Sequence, residues 1–250
     1  GFTLRIDNST LKACENFLWK GIETSAAGST ALGGANQFSV VMVNNSLIQD
    51  ALYAIDASGS SRISAIGSRF INNYIGLNNQ VVTNSLNQLN YNVFDCTGSF
   101  LLPSWVGAPV NVVAGRRGAY GVFVNGGSAQ TVGGIGVGNV FQNINTGIYA
   151  LNATLNAIHN RFINIAAYNT GTPGAGTAVN GFDSNNPTVT SPFTLTVQGA
   201  GKYSANPAFD NTANCIFVQE MNCNIFNNYM RFTNSSTTAS RAIVAQQCQN

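Results

Sequence analysis

Charge is scarce in this chain: Asp, Glu, Lys and Arg make up 8% of its 250 residues, against roughly 25% in an average soluble domain. Solubility therefore rests on uncharged polar groups, and Gly, Asn, Ser and Thr are abundant. The 11 basic and 9 acidic residues leave a net charge of +2 and are scattered, Arg116 and Arg117 being the only basic pair. Binding to nucleic acid needs a Lys/Arg-dense face that displaces counterions from phosphates, and its absence argues against such a partner. Long apolar runs are missing too. The nearest, "FLLPSWVGAPVNVVAG", is broken by Pro103 and Pro109 and falls short of the roughly 18 to 20 residues that span a bilayer. The five cysteines, Cys14, Cys96, Cys215, Cys223 and Cys248, show no CxxC spacing, and the one histidine, His159, has no cysteine near it in sequence. That pattern argues against a zinc site. The chain opens on Gly1 without a charged-then-apolar leader and stops in "QQCQN", so a single domain over 1–250, cut from something longer, is expected. Sequons at Asn8, Asn44, Asn152 and Asn234 carry almost no weight in a chain so rich in Asn, Ser and Thr.

What is present is a repeat. "RFINNYIGL" at Arg69 to Leu77 returns as "VFQNINTGI" from Val140, and more loosely as "RFINIAAYN" from Arg161 and "IFNNYMRF" from Ile225. Phe70, Phe94, Phe141 and Phe162 follow one another at intervals of 24, 47 and 21 residues. The middle interval reads as two periods, with "YGVFVN" supplying the missing unit, and Gly76, Gly98, Gly121 and Gly147 then form a matching glycine series. Upstream, Ile48 and Ala54 fall 22 residues before Phe70 and Gly76, with a shift to Leu47 as the competing register, and "CENFLWKGIE" is a looser first copy.

Periods of 20 to 50 residues indicate solenoids, propellers or arrays. Helical solenoids need Ala, Leu, Glu and Lys at 3.6-residue spacing, whereas these units are short β-prone segments split by Asn and Gly. Leucine-rich repeats and propeller blades fail on residue pattern and on length. The remaining architecture is all-β: a right-handed parallel β-helix with coils of about 22 to 24 residues, each burying its apolar face only when stacked. The phenylalanines should form an internal column, because parallel strands about 4.8 Å apart place equivalent side chains over one another. Asn should occupy left-handed corners and pass hydrogen bonds between coils, and Gly should supply a backbone conformation closed to most residues. Three stretches, about 25–37, 99–117 and 170–214, exceed a corner and read as excursions, the third with a "FTLTVQG" strand expected in a hairpin or extra sheet.

On these repeats the chain resembles the right-handed β-helix superfamily of pectate lyases, polygalacturonases and many bacterial surface proteins. The resemblance implies fold more than activity, because the fold hosts unrelated functions. The enzyme members use clustered acids, and here the adjacent Asp-Asp, Asn-x-Asp and Gly-His-Gly patterns are absent. The leading expectation is a secreted or cell-surface, non-catalytic segment of a larger bacterial protein: a stalk, adhesin or filament building block. Its open ends would meet the rest of the chain or neighbouring subunits. The alternative is a carbohydrate-active module, a divergent lyase or hydrolase or a glycan-binding domain. Acids converging in a groove would favour the enzyme.

Neither a cofactor nor a metal ion is expected. His159, lacking a matched partner, reads as a corner side chain, and Asp183 in "DSNNP" as an Asx turn rather than a calcium ligand. Thr194 and Thr196 form one copy, not the array that ice binding requires. Trp105, Tyr203 and Phe209 on the excursions are the candidate ligand-contact aromatics, with packing of the excursions as the competing role. Cys223 and Cys248, about one coil apart, are a possible disulfide, and Cys215 with Cys223 is the competing pair.

Overall fold

The computed structural model describes residues 3–14, 16–26, 39–59, 61–80, 85–97, 100–126, 129–168, 174–184, 193–201, 208–231, 241–246 and 248. Every strand pairing among them is parallel, and no helix occurs. One coil consists of three short strands, as in Ser61–Ile66, Arg69–Ile71 and Ile75–Asn79, one for each of three faces. Eight coils stack. The second face is a continuous 8-stranded ladder from Thr10–Lys12 to Met230–Arg231, and the third is another from Ile22–Ala26 to Arg241–Gln246. The first face is two 4-stranded ladders, Thr3–Asp7 to Ser85–Asn90 and Gln130–Gly133 to Asn222–Phe226. The chain is a parallel β-helix, not a closed barrel.

Each face turns one side inward, which is why β-branched residues alternate with polar ones. In Ser39–Asn44, Val41 and Val43 are fully buried while Val40 and Met42 are partly exposed. The centre of the coil holds the expected aromatic column. Ile48, Phe70, Phe94, Phe141, Phe162 and Phe209 are register partners on successive strands of the second face. Neighbouring rings stack at 4.7, 4.8, 5.1 and 5.2 Å, tilted by no more than 13°. The ladder spacing imposes this near face-to-face stack, although isolated rings prefer an offset or edge-on arrangement.

The glycine series has a different cause from the one expected. Gly76, Gly121 and Gly147 do not have positive φ. A Cβ on Gly76 would stand 2.6 Å from Phe94 Cδ1, one on Gly121 2.5 Å from Phe141 Cδ1, and one on Gly147 2.6 Å from Phe162 Cδ1. Each glycine makes room for the phenylalanine of the next coil. Asparagine behaves as expected at the corners: Asn8, Asn45, Asn72, Asn143, Asn152, Asn164, Asn211 and Asn227 all have positive φ. Amides also run between coils. Asn139 Oδ1 accepts from Asn92 Nδ2 at 2.9 Å, and Asn160 Oδ1 from Asn139 Nδ2 at 3.0 Å. At the next corner Asn143 donates to Asp95, Asn164 to Asn143, and Asn211 to Asn164, at 2.9, 3.2 and 2.8 Å.

Four sequence readings change. Phe94 pairs directly with Phe141, so the 47-residue interval is one coil carrying an insertion, not two coils. Gly121 is therefore the direct neighbour of Gly76, and Gly98 lies outside the described residues. The segment 170–214 is not one excursion: Thr177–Phe182 and Thr194–Gln198 are ordinary coil strands. The "FTLTVQG" strand lies parallel between Leu155–Ile158 and Asn222–Phe226 instead of in a hairpin. In "IFNNYMRF" the column residue is Met230, paired with Phe209, while Phe226 ends a strand of the first face. The register that places Ile48 under Phe70 is observed, as is the placement of Ala54 beside Gly76. The excursion at 100–117 folds on itself through Leu101 N–H to Arg116 O and Ser104 N–H to Val112 O, and reaches back to the first coil where Leu18 N–H donates to Pro103 O at 2.9 Å. Most of the first excursion, 27–38, lies outside the described residues.

Replacing Phe70 by Ala opens a cavity in the column and should destabilise the chain by roughly 3–5 kcal/mol. Gly76→Ala should cost about 1–3 kcal/mol by overpacking, because its methyl would meet both Phe94 Cδ1 at 2.6 Å and Gly121 O at 2.5 Å. Urea unfolding midpoints check both, and a neutral Gly76→Ala would remove the steric explanation of the glycine series.

Candidate functional site

The outer side of the third face carries side chains that the ladder register aligns in columns. One column runs Glu23, Asp56, Asn78, Phe123, Tyr149, Asn180, Phe217 and Val244. Beside it run Tyr53, Ile75, Tyr120, Thr146, Thr177, Asn214 and Arg241. Tyr120, Phe123 and Tyr149 form a ring cluster with centroids 5.4 to 5.6 Å apart. Together with Ile75 and Ala119 it is an apolar patch separate from the main core. Burial pushes the Tyr120 and Tyr149 phenols up from their ordinary values, with Tyr149 adding to the shift of Tyr120. Both stay neutral at physiological pH.

Beyond this cluster the face opens into a cavity of about 460 Å³, with Tyr149, Phe182 and Phe217 among its lining rings and Asn180, Asn214 and Arg241 among its polar groups. Asn180 is only 5% exposed, and among the described residues its Oδ1 has no hydrogen-bond partner. Among the described residues Arg241 makes no ion pair. Among the described residues the lining contains no carboxylate, histidine or cysteine.

The opposite end of the face is acidic. Glu23 and Asp56 are register partners on adjacent strands, and Lys20 pairs with Glu23 while Asn78 Nδ2 donates to Asp56 Oδ1 at 2.8 Å. Burial holds the Asp56 carboxyl above its ordinary value, with the Glu23 charge adding to it against the Asn78 hydrogen bond. Other acids are held structurally. Asp95 accepts from Gln142, Asn143 and Thr97, and Asp210 from both Nε and an Nη of Arg231. Among the described residues no three His, Cys, Asp or Glu side chains are grouped as metal ligands are.

The sequence candidates are dispersed. Phe209 is fully buried, stacked on Phe162 at 5.2 Å, so it belongs to the column and not to an exposed excursion. Tyr203 lies outside the described residues. Trp105 packs partly against the core and also lines a second cavity near the first coil. His159 is a corner residue with φ 52°, its Nδ1 accepting from Gly136 N–H at 3.0 Å. Cys223 and Cys248 are free thiols in contact with each other. One coil at this point is 27 residues, since Gln219 pairs with Gln246, so Cys248 sits beside Met221 and meets Cys223 diagonally rather than directly above it. The aromatic sequence candidates fall in the stretches read as excursions and omit the aromatics of the third face. Their signal was the residue two places after the small one in "YGVFVN", "TGIYAL" and "NCIFVQ".

This arrangement defines a class: a parallel β-helix with an aromatic and amide-lined outer face. Comparison of the chain with family models, with curated proteins and with solved structures gives no match to any of them.

Because burial raises the Asp56 carboxyl, its ionisation opposes folding. Its contribution to stability is fully present below the unfolded-state pKa and is lost as pH rises through the raised folded value. The stability difference between wild type and Asp56→Asn should therefore shift against wild type as pH rises from below the ordinary carboxylate range to neutrality, and urea midpoints that move the opposite way would contradict the burial. Thiol labelling gives a second check. In the reduced native chain, Cys14, Cys223 and Cys248 should react, while Cys96 and Cys215, pushed up by burial to about 11 and about 12, should react only on unfolding. A count of one reactive thiol in native chain purified without reductant would identify the Cys223–Cys248 bridge.

Proposed function

We propose that this chain is a secreted or cell-surface, non-catalytic segment of the pectate-lyase-like β-helix superfamily, of the bacterial surface type, acting as a rigid stalk or adhesin that holds glycans on its third face. The observation that carries this reading is the row of rings from Tyr120 to Phe217, ending in a cavity lined by amides and a guanidinium without a carboxylate. Sugar rings present C–H faces that pack on aromatic side chains, and their hydroxyls need donors and acceptors at fixed positions. The ladder holds both kinds of group on a rigid floor, which lowers the ordering cost of binding. The unpartnered Asn180 Oδ1 supports a ligand in the cavity, since a buried carbonyl oxygen without a donor costs about 1–3 kcal/mol and a sugar hydroxyl would supply one.

The stalk role is supported by the ladders of the second and third faces, each continuous through eight strands, which make a rigid stacked scaffold. The catalytic alternative rests on Glu23 and Asp56. Both are already engaged, by Lys20 and Asn78, and neither lines the cavity.

A glycan array should return hits for the wild-type chain. Phe217→Ala and Tyr149→Ala should each weaken the best hit about tenfold, equal to about 1.4 kcal/mol, with unfolding midpoints recorded alongside. An array without hits, or hits unaffected by both substitutions, would overturn the assignment of this face.

A further inference from the structure

The second cavity, also about 460 Å³, lies where the loop between the first coil's second and third faces meets the excursion at 100–117. Its walls include Phe17, Leu18, Trp19 and Trp105, and Lys12 and Lys20 stand among its lining residues. The chain contains 2 tryptophans in all, and both are here. The pocket is already built. Trp19 N–H donates to Asp50 O at 3.1 Å and its carbonyl accepts from Leu52 N–H at 2.7 Å, while the buried Leu18 is tied to Pro103 of the excursion. Phe17 is 45% exposed and so open to a ligand.

The polar inventory selects the ligand. The indole N–H of Trp19 is committed to Gln49 O at 2.8 Å, and the backbone N–H groups of Leu18 and Trp19 are committed as well. No carboxylate lines the cavity among the described residues, and Glu15 of the same loop lies outside them. The strongest donors left are two ammonium groups: Lys20 is shared with Glu23 in a largely exposed pair of the kind worth little on its own, and Lys12 lies within electrostatic reach of Asp50. A neutral sugar would bring several hydroxyls to a wall with few partners for them, and their desolvation would go uncompensated. We propose that this pocket binds an amphipathic organic anion: a flat, ring-sized apolar body held by the two indoles, with a carboxylate or sulfonate at Lys12 and Lys20. The volume lies within the range of about 300–1,000 Å³ usual for small-molecule sites. The site is separate from the third face and does not depend on the glycan reading.

The test uses the reduced chain and a matched pair of probes, 8-anilinonaphthalene-1-sulfonate and its uncharged analogue N-phenyl-1-naphthylamine. Since both tryptophans line the pocket, quenching of their fluorescence reports occupancy of this site. The sulfonate should bind saturably at one site per chain, about five- to tenfold tighter than the neutral probe, and more weakly as salt rises. Lys12→Ala with Lys20→Ala should reduce its affinity to that of the neutral probe without changing the unfolding midpoint. Trp105→Ala should weaken both probes. Equal affinity for the two probes, or sulfonate binding insensitive to the double lysine substitution, would overturn the proposal. Loss of sulfonate binding on Phe217→Ala would do the same by moving the site to the third face.

Discussion

The parallel ladder from coil to coil is the constraint on which the rest depends. It spaces equivalent residues by the width of one strand pair, so a residue suited to one coil must also suit the residue above it. The stacked phenylalanines follow, with ring separations of 4.7 to 5.2 Å that track the backbone. The glycines follow from the rings, since Gly76, Gly121 and Gly147 stand where a Cβ would enter the ring of the next coil. The asparagine ladders follow as well. A corner amide meets another amide above it, and each can donate to one neighbour and accept from the other.

The same constraint reconciles the low charge with stability. Like charges stacked along a column would repel at strand spacing, whereas Asn, Ser and Thr stack without that penalty. Some ladder charges are matched, as Asp210 is with Arg231 one coil away, or Glu23 with Lys20, while Glu23 and Asp56 stack as like charges, which adds to the raised Asp56 carboxyl. Asp95 occurs within an amide ladder, accepting three side-chain donors. The outer face is freer. A column such as Glu23, Asp56, Asn78, Phe123, Tyr149, Asn180, Phe217 has no common shape to satisfy, and its variation lets one scaffold carry an acidic end and an aromatic end with a cavity.

Insertions enter this architecture at the corners and leave the ladders of the second and third faces continuous, while the first face divides into two ladders between Ser85–Asn90 and Gln130–Gly133. The 47-residue interval from Phe94 to Phe141 contains the excursion at 100–117, yet the two rings stack at 4.8 Å, close to the separation of Phe70 and Phe94. The excursion is held by Arg117, whose guanidinium lies over Phe100 and Tyr168 at 4.8 and 4.2 Å and donates to Cys96 O and Asn143 O. By returning to Leu18 it creates the tryptophan-lined pocket from residues 86 positions apart in the chain, Trp19 and Trp105.

The sequence by itself determined the repeating unit, the aromatic column and the asparagine corners, because these are local patterns that recur whenever a coil is built, while Ile48 and Leu47 stayed competing registers under Phe70 until strand pairing chose Ile48. It was silent on coil number wherever an insertion occurred. A residue count cannot distinguish a 47-residue interval made of two coils from one coil with a long loop, whereas strand pairing can. The alternation in "FTLTVQG" was legible as a strand but not as a parallel one, since any strand with one buried side alternates in the same way. The tertiary structure alone decided the surfaces. Phe123, Tyr149 and Phe217 lie far apart in sequence and become one row only after stacking, and Phe209 becomes core instead of surface for the same reason. Inward positions repeat because every coil solves the same packing problem, while outward positions face solvent, and only the folded ladder shows which of them are neighbours.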